Sequence, residues 1–165
     1  MRLPIAIGVI LVASLGLSTP VMSVPATQVA QTSQTASSNL KQLRINQQLW
    51  RRQRIVNYRY TLTNDCFCFA EFRGPVIIEV RRGITTSITN AETGLSVDPE
   101  VFEEYSTIRK LFNLIRDAII SGESELTVAY DPQLGYPTKI NIGSLAADAG
   151  IFTTISNFEQ LDEGS

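Results

Sequence analysis

The chain contains no histidine and only two cysteines in 165 residues. Without histidine there is no Ser-His or Cys-His nucleophile pair and no imidazole ligand for a metal ion. The Gly-x-Ser-x-Gly elbow, the phosphate-cradling glycine loop and the dinucleotide fingerprint are also missing. Carboxylate pairs are present, as in Glu103-Glu104 and Glu123-Ser124-Glu125. Two acids can drive glycoside hydrolysis, but these stand at a helix approach and in a turn, where solvated charge is the ordinary reading. The sequence therefore nominates no catalytic residue and no cofactor, and the chain reads as a non-enzyme.

The N-terminus has the three parts of a secretory signal. Met1-Arg2 is a short basic start, Leu3 to Leu17 is an apolar run, and Ser18-Thr19-Pro20 ends it. The run is shorter than a comfortable membrane span. Val21-Met22-Ser23 places cleavage after Ser23, with Ala26 as the second option. No cysteine stands near either position, so there is no lipid-attachment point. Residues 1–23 are thus expected to be a signal peptide and the mature chain soluble, periplasmic or secreted. Residues 24–38 hold no charge and no aromatic side chain, the composition of a flexible linker. Residues 39–165 are long enough for a single domain with its own core.

Charge is unevenly placed. Residues 39–90 carry 9 Lys and Arg against 3 Asp and Glu, and residues 91–165 carry 4 against 13. The plainest account is that the halves pack together and neutralise one another; the alternative is a partner surface. Basic residues are not interleaved with aromatics along any element, which argues against nucleic acid as a partner.

Hydrophobic spacing gives the elements. Asn39 and Gln42 have capping-box spacing and open a helix running to about Ile55, with Leu40, Leu43 and Trp50 on one stripe and Ile45, Leu49 and Val56 on another. Tyr58, Tyr60 and Leu62 alternate with polar residues as in a half-buried strand, which Asn64-Asp65 is expected to break. Pro75 starts a second strand (Val76, Ile78, Val80), and Arg82-Gly83 turns it into a third (Ile84, Thr86, Ile88). Asp98-Pro99-Glu100 suits a short helical turn. Ile108, Leu111, Phe112, Ile115, Ala118 and Ile119 recur at helical spacing, between an N-cap at Ser106 or Thr107 and a stop at Gly122. Three strands follow: Leu126–Tyr130, Tyr136–Ile142 and about Ile151–Phe158. The order is α-β-β-β twice, and Gly74-Pro75 and Gly135-Tyr136-Pro137 echo one another. The expected fold is α+β: an antiparallel sheet of about six strands with two helices packed on one face, and an αβββ repeat.

Cys66-Phe67-Cys68 is the most informative motif. An oxidising compartment favours a disulfide. On an extended strand, however, residues two apart have α-carbons about 6.5 Å apart, near the upper limit for that bond. A bend is therefore required. Three readings stay open: a local staple, a redox or soft-metal thiol pair of the kind that holds Cu(I), and an intermolecular disulfide. The tyrosines divide in a similar way. Tyr58, Tyr60, Tyr130 and Tyr136 read first as core or rim residues with wet hydroxyls. Tyr130 and Tyr136 are the candidates for a binding groove.

Trp50, Tyr58-x-Tyr60, Cys66-x-Cys68, Phe112 and Tyr130-Asp131-Pro132-x-x-Gly135-Tyr136-Pro137 together resemble an uncharacterised bacterial family, domain of unknown function 6174. The resemblance runs from about Leu40 to about Phe158. It implies an exported or lipid-anchored bacterial protein and brings no activity or functional residue. The leading functional expectation is a non-catalytic binding or accessory module of the bacterial envelope, with an envelope or extracellular protein or a small molecule as partner. The alternatives are a thiol-disulfide redox or metal-handling protein using Cys66 and Cys68, and an inhibitor of a secreted enzyme.

Overall fold

The computed structural model describes residues 26–123, 125–144 and 150–162. The expected export signal and its cleavage after Ser23 lie outside the described residues. Helix α1 spans Ala26–Gln53 and is followed by β1 (Tyr58–Cys66), a one-turn helix α2 (Ala70–Arg73), β2 (Val76–Arg81) and β3 (Ile84–Asn90). A 3-10 helix (Pro99–Tyr105) leads into α3 (Ile108–Ser121), and β4 (Leu126–Tyr130), β5 (Pro137–Ile142) and β6 (Ile151–Gln160) complete the chain. The six strands form one sheet in the order β3-β2-β1-β6-β5-β4, with every pairing antiparallel.

Two helix boundaries differ in how they met expectation. Helix α1 begins at Ala26, not at Asn39, and so extends through the stretch read as a linker. Between Ala26 and Asn39 there is neither proline nor glycine to stop it, and alanine and glutamine are good helix formers. Asn39 is therefore an interior residue, and its amide donates to the Leu126 carbonyl (3.4 Å). Helix α3 begins and ends as its caps require. The Thr107 hydroxyl accepts from the Lys110 amide, and Gly122 takes the left-handed conformation that closes the last turn.

One face of the sheet is apolar and both long helices lie on it. On β1 the residues Tyr58, Tyr60, Leu62, Asn64 and Cys66 are buried in strict alternation. Their partners across the sheet, Val76, Ile78 and Val80 on β2 and Thr153 and Ile155 on β6, are buried on the same side. Helix α1 contributes Leu43 and Trp50, and α3 contributes Ile108, Leu111, Phe112, Ile115 and Ala118. Of the two stripes on α1, only that of Leu43 and Trp50 reaches the core; Ile45 and Val56 are about half exposed. The opposite face of the sheet carries Arg59, Thr63 and Asp65 of β1 and Thr154 and Ser156 of β6, all exposed.

The α-β-β-β order does not become a structural repeat. The halves β3-β2-β1 and β6-β5-β4 lie side by side in the same left-to-right order with strand directions reversed. With both helices on one face, no rotation superimposes them. The two echoing glycines nevertheless do similar work. Gly135 has φ +82°, and a Cβ there would lie 2.6 Å from the Asn46 carbonyl oxygen of α1. Gly74 has φ +78°, and a Cβ would lie 2.8 Å from the Leu62 carbonyl oxygen. Each marks a left-handed turn pressed against a neighbouring backbone, which only glycine tolerates.

Aromatic rings and phenolic hydroxyls join the layers. Trp50 meets Tyr58, Tyr136 and Phe158 edge-on, with centroids 5.5, 6.2 and 5.7 Å away. The Tyr60 hydroxyl donates to the Tyr105 carbonyl, and the Tyr58 hydroxyl accepts from the Ile108 amide (3.1 Å) at the start of α3. Burial pushes Tyr58 and Tyr130 up to about 12, and raises Tyr60, Tyr105 and Tyr136 above the free value of 10.0. A raised phenol stabilises the fold fully below the free-tyrosine value, and that contribution is lost as pH rises from there through the folded value. Stability in denaturant should thus be insensitive to these groups up to about pH 10 and fall steeply above it. Tyrosinate absorbance should appear together with unfolding. Five tyrosines titrating near pH 10 with the fold intact would contradict this packing.

Candidate functional site

Strand β1 does not break at Asn64-Asp65 as expected; it continues to Cys66. Asn64 is only 2% exposed because it is used as a cross-link. Its amide nitrogen donates to the Phe72 carbonyl (3.0 Å), and its amide oxygen accepts from the Thr153 hydroxyl (2.7 Å). A buried amide satisfied at both ends holds its neighbours firmly, because any displacement strands a polar group away from water. The chain bends after Cys66 instead. The Cys66 and Cys68 sulfurs are bonded, with α-carbons 5.3 Å apart. This is shorter than an extended strand allows and agrees with the required bend.

Four further contacts fix the segment beyond the bend. The Arg73 guanidinium donates to the Cys68 carbonyl (3.0 Å), and the Phe72 amide donates to the Phe69 carbonyl (3.1 Å). The Phe72 ring stacks on Phe102 (5.8 Å) and meets Tyr105 edge-on (5.5 Å). With Phe72 drawn inward and the disulfide closing the turn, Phe67 and Phe69 have nowhere to pack. They are 84% and 88% exposed. A hollow of about 340 Å³ opens beside α2, walled by Ala70, Glu71 and Gly74 on one side and by Val97, Asp98 and Val101 on the other. The segment thus presents two outward aromatic rings and continues into α2, which walls a cleft whose polar groups are Glu71, Asn90, Ser96 and Asp98.

The other sequence candidates lie elsewhere. Tyr136 is buried and stacked on Phe158 at 4.5 Å, the core placement read first from the sequence rather than the groove. Tyr130 is half-buried and stacks on Phe112 (6.3 Å). Tyr136 joins the Trp50–Tyr58 cluster at the opposite end of β1 from Cys66, roughly 26 Å away for eight strand steps. Asp131 is turn chemistry, its carboxylate accepting from the Gln133 and Leu134 amides (2.9 and 2.7 Å). The larger hollow, about 620 Å³ along α3, is bordered by Glu103, Glu104, Asp117 and Glu123, with Lys110 reaching Glu103 at 3.5 Å. The Ser121 hydroxyl that lines it donates to the Ala118 carbonyl (3.1 Å). Among the described residues, no group of three or more Cys, Asp or Glu side chains is placed to hold a metal ion. No helix among them is long and apolar enough to cross a membrane.

Sequence reasoning found the cysteines and missed what surrounds them. Asn64 was read as a strand breaker, although it continues the period-two series Tyr58, Tyr60, Leu62. Phe69 and Phe72 were not singled out, since exposed and buried phenylalanine look alike in a short irregular stretch.

The chain belongs to a family of unknown function (DUF6174), whose family model matches residues 42–160. No curated protein and no solved structure matches it.

The closed ring joins residues only two apart, so it restrains little of the unfolded chain. Intact mass of the natively oxidised chain should be about two units below the reduced value, with no alkylation before reduction. Replacing both residues, Cys66→Ser with Cys68→Ser, should lower stability by less than about 1 kcal/mol. Free alkylation of both thiols, or a loss of several kcal/mol, would contradict this reading.

Proposed function

We propose that this member of the family of unknown function (DUF6174) is a non-catalytic binding module of the bacterial envelope or the space outside it, and that it engages a protein partner through Phe67, Phe69 and the hollow beside α2. One observation carries the reading: two large aromatic side chains are held outward on a segment that is itself tied down at Asn64, Cys66, Phe72 and Arg73. Covering an exposed phenylalanine stabilises a complex by about 1.5–3 kcal/mol, and aromatic anchors dominate protein interfaces. Holding them in place beforehand reduces the ordering cost that binding otherwise incurs. The location rests on the signal-like residues 1–23, and a disulfide fits an oxidising compartment.

A second reading, thiol-disulfide exchange, is favoured by the same bond. It lies at a turn, with Cys66 buried and Cys68 half-buried, and joins no two elements of the fold. A partner dithiol would attack one sulfur and leave as a disulfide, with Cys66 and Cys68 becoming thiols.

Replacing Phe67 with the photo-crosslinker p-benzoylphenylalanine in the host should give a discrete adduct. The same probe at Ile120, which is 73% exposed on α3, should not. Adding Phe69→Ser should reduce the Phe67 adduct roughly tenfold or more, the equivalent of one lost aromatic anchor. The double serine variant should still form the adduct under the binding reading and lose function under the exchange reading. No adduct from position 67, or identical adducts from both positions, would contradict partner binding by this segment.

A further inference from the structure

Helix α1 has a second surface that the aromatic segment does not use. Its sequence contains four basic residues, Lys41, Arg44, Arg51 and Arg52, and no carboxylate. At 3.6 residues per turn these four and Gln48 fall on one face, and all five are exposed. The opposite face is fixed by Leu43 and Trp50, which are 1% and 9% exposed, so the basic face is held toward solvent. Among the described residues, the ion pairs join Arg59 to Glu159, Arg81 to Glu79 and Lys110 to Glu103; none involves the α1 cations. The result is a straight line of unneutralised positive charge roughly 16 Å long for eleven residues of helix rise, with the half-exposed Ile45 at its edge.

We propose that this face of α1 docks on an anionic phospholipid surface. Two observations select that occupant. The stripe is convex and single-signed, which suits a plane of negative headgroups; basic clusters on an amphipathic helix are the usual recognition element for such surfaces. Helix α1 begins at Ala26, with eight residues between it and the apolar run Leu3–Leu17, so export on the signal-like residues 1–23 releases it beside a membrane. The acidic hollow of a second copy, bordered by Glu103, Glu104, Asp117 and Glu123 around Lys110, is the competing occupant, which self-association without vesicle binding would reveal.

The test uses the full chain and vesicles of phosphatidylcholine with and without phosphatidylglycerol. Phosphatidylcholine alone reads any binding through the apolar N-terminal run; the difference between the two reads the stripe. Each basic residue near an anionic surface contributes roughly fivefold to partitioning. The chain should therefore prefer phosphatidylglycerol vesicles by at least about tenfold, and the preference should collapse as salt is raised. The variant Lys41→Gln/Arg44→Gln/Arg51→Gln/Arg52→Gln should lose it with an unchanged circular dichroism spectrum. If that variant does not fold, Arg51→Gln/Arg52→Gln should still lose part of it. Neutralising exposed cations elsewhere, Arg109→Gln with Lys139→Gln, should leave it intact. The proposal is overturned by no preference in the natural chain, by a preference that survives loss of the four cations, by equal binding to soluble polyglutamate, or by stripe-dependent self-association without vesicle binding.

Discussion

Burial of one face of β1 is the constraint on which the rest of the structure depends. Tyr58, Tyr60, Leu62, Asn64 and Cys66 all point beneath the helical layer, and each attaches a different part of the chain. Tyr58 accepts the first amide of α3, and Tyr60 donates to the end of the 3-10 helix. Leu62 sits between Val76 and Ile155 on the neighbouring strands. Asn64 ties α2 to β6. Cys66 starts the bonded turn. A one-residue slip of this strand would expose every one of these groups at once, which is why its register is so strongly specified.

The same alternation explains the candidate site. A strand end normally frays into a mobile loop. Here the last two inward positions are a doubly bonded asparagine and a disulfide, and the following helical turn is pinned by Phe72 against Phe102 and Tyr105. Inward commitment of Asn64, Cys66 and Phe72 leaves the outward positions to Phe67 and Phe69. Exposure of the two rings is thus a consequence of how firmly their neighbours are held. On α1 the division is similar: Leu43 and Trp50 are held inward, and the cations face out.

Much of the fold was legible. Period-two alternation located the strands, and the caps at Ser106 or Thr107 and at Gly122 bounded α3 to within one residue. Asp98-Pro99 opens the short helix expected there, with the Asp98 carboxylate accepting from the Glu100 amide (3.0 Å). What was not legible depended on tertiary context. Asn64 has turn propensity when read alone, and only the facing Thr153 and the returning Phe72 carbonyl make its burial favourable. The start of α1 was misplaced because its first residues have no apolar periodicity, and low hydrophobicity resembles a linker even where nothing stops a helix. The glycine echo was visible as a motif, but its cause, the close approach of the Asn46 and Leu62 carbonyls, belongs to packing.

Of the site, the sequence showed the cysteine pair and left Tyr136 open between core and groove, since a ring in a turn motif cannot be told from a ring in a core without its neighbours. The account stands or falls on whether residues 66–73 form a fixed display. The most direct measurement is amide hydrogen exchange across this segment in the oxidised chain. Strong protection of the Phe72 amide, which donates to the Phe69 carbonyl, is the predicted result, with ring resonances of Phe67 and Phe69 that remain solvent-accessible. Exchange of the Phe72 amide at the rate of an unstructured peptide would contradict a pre-organised aromatic site.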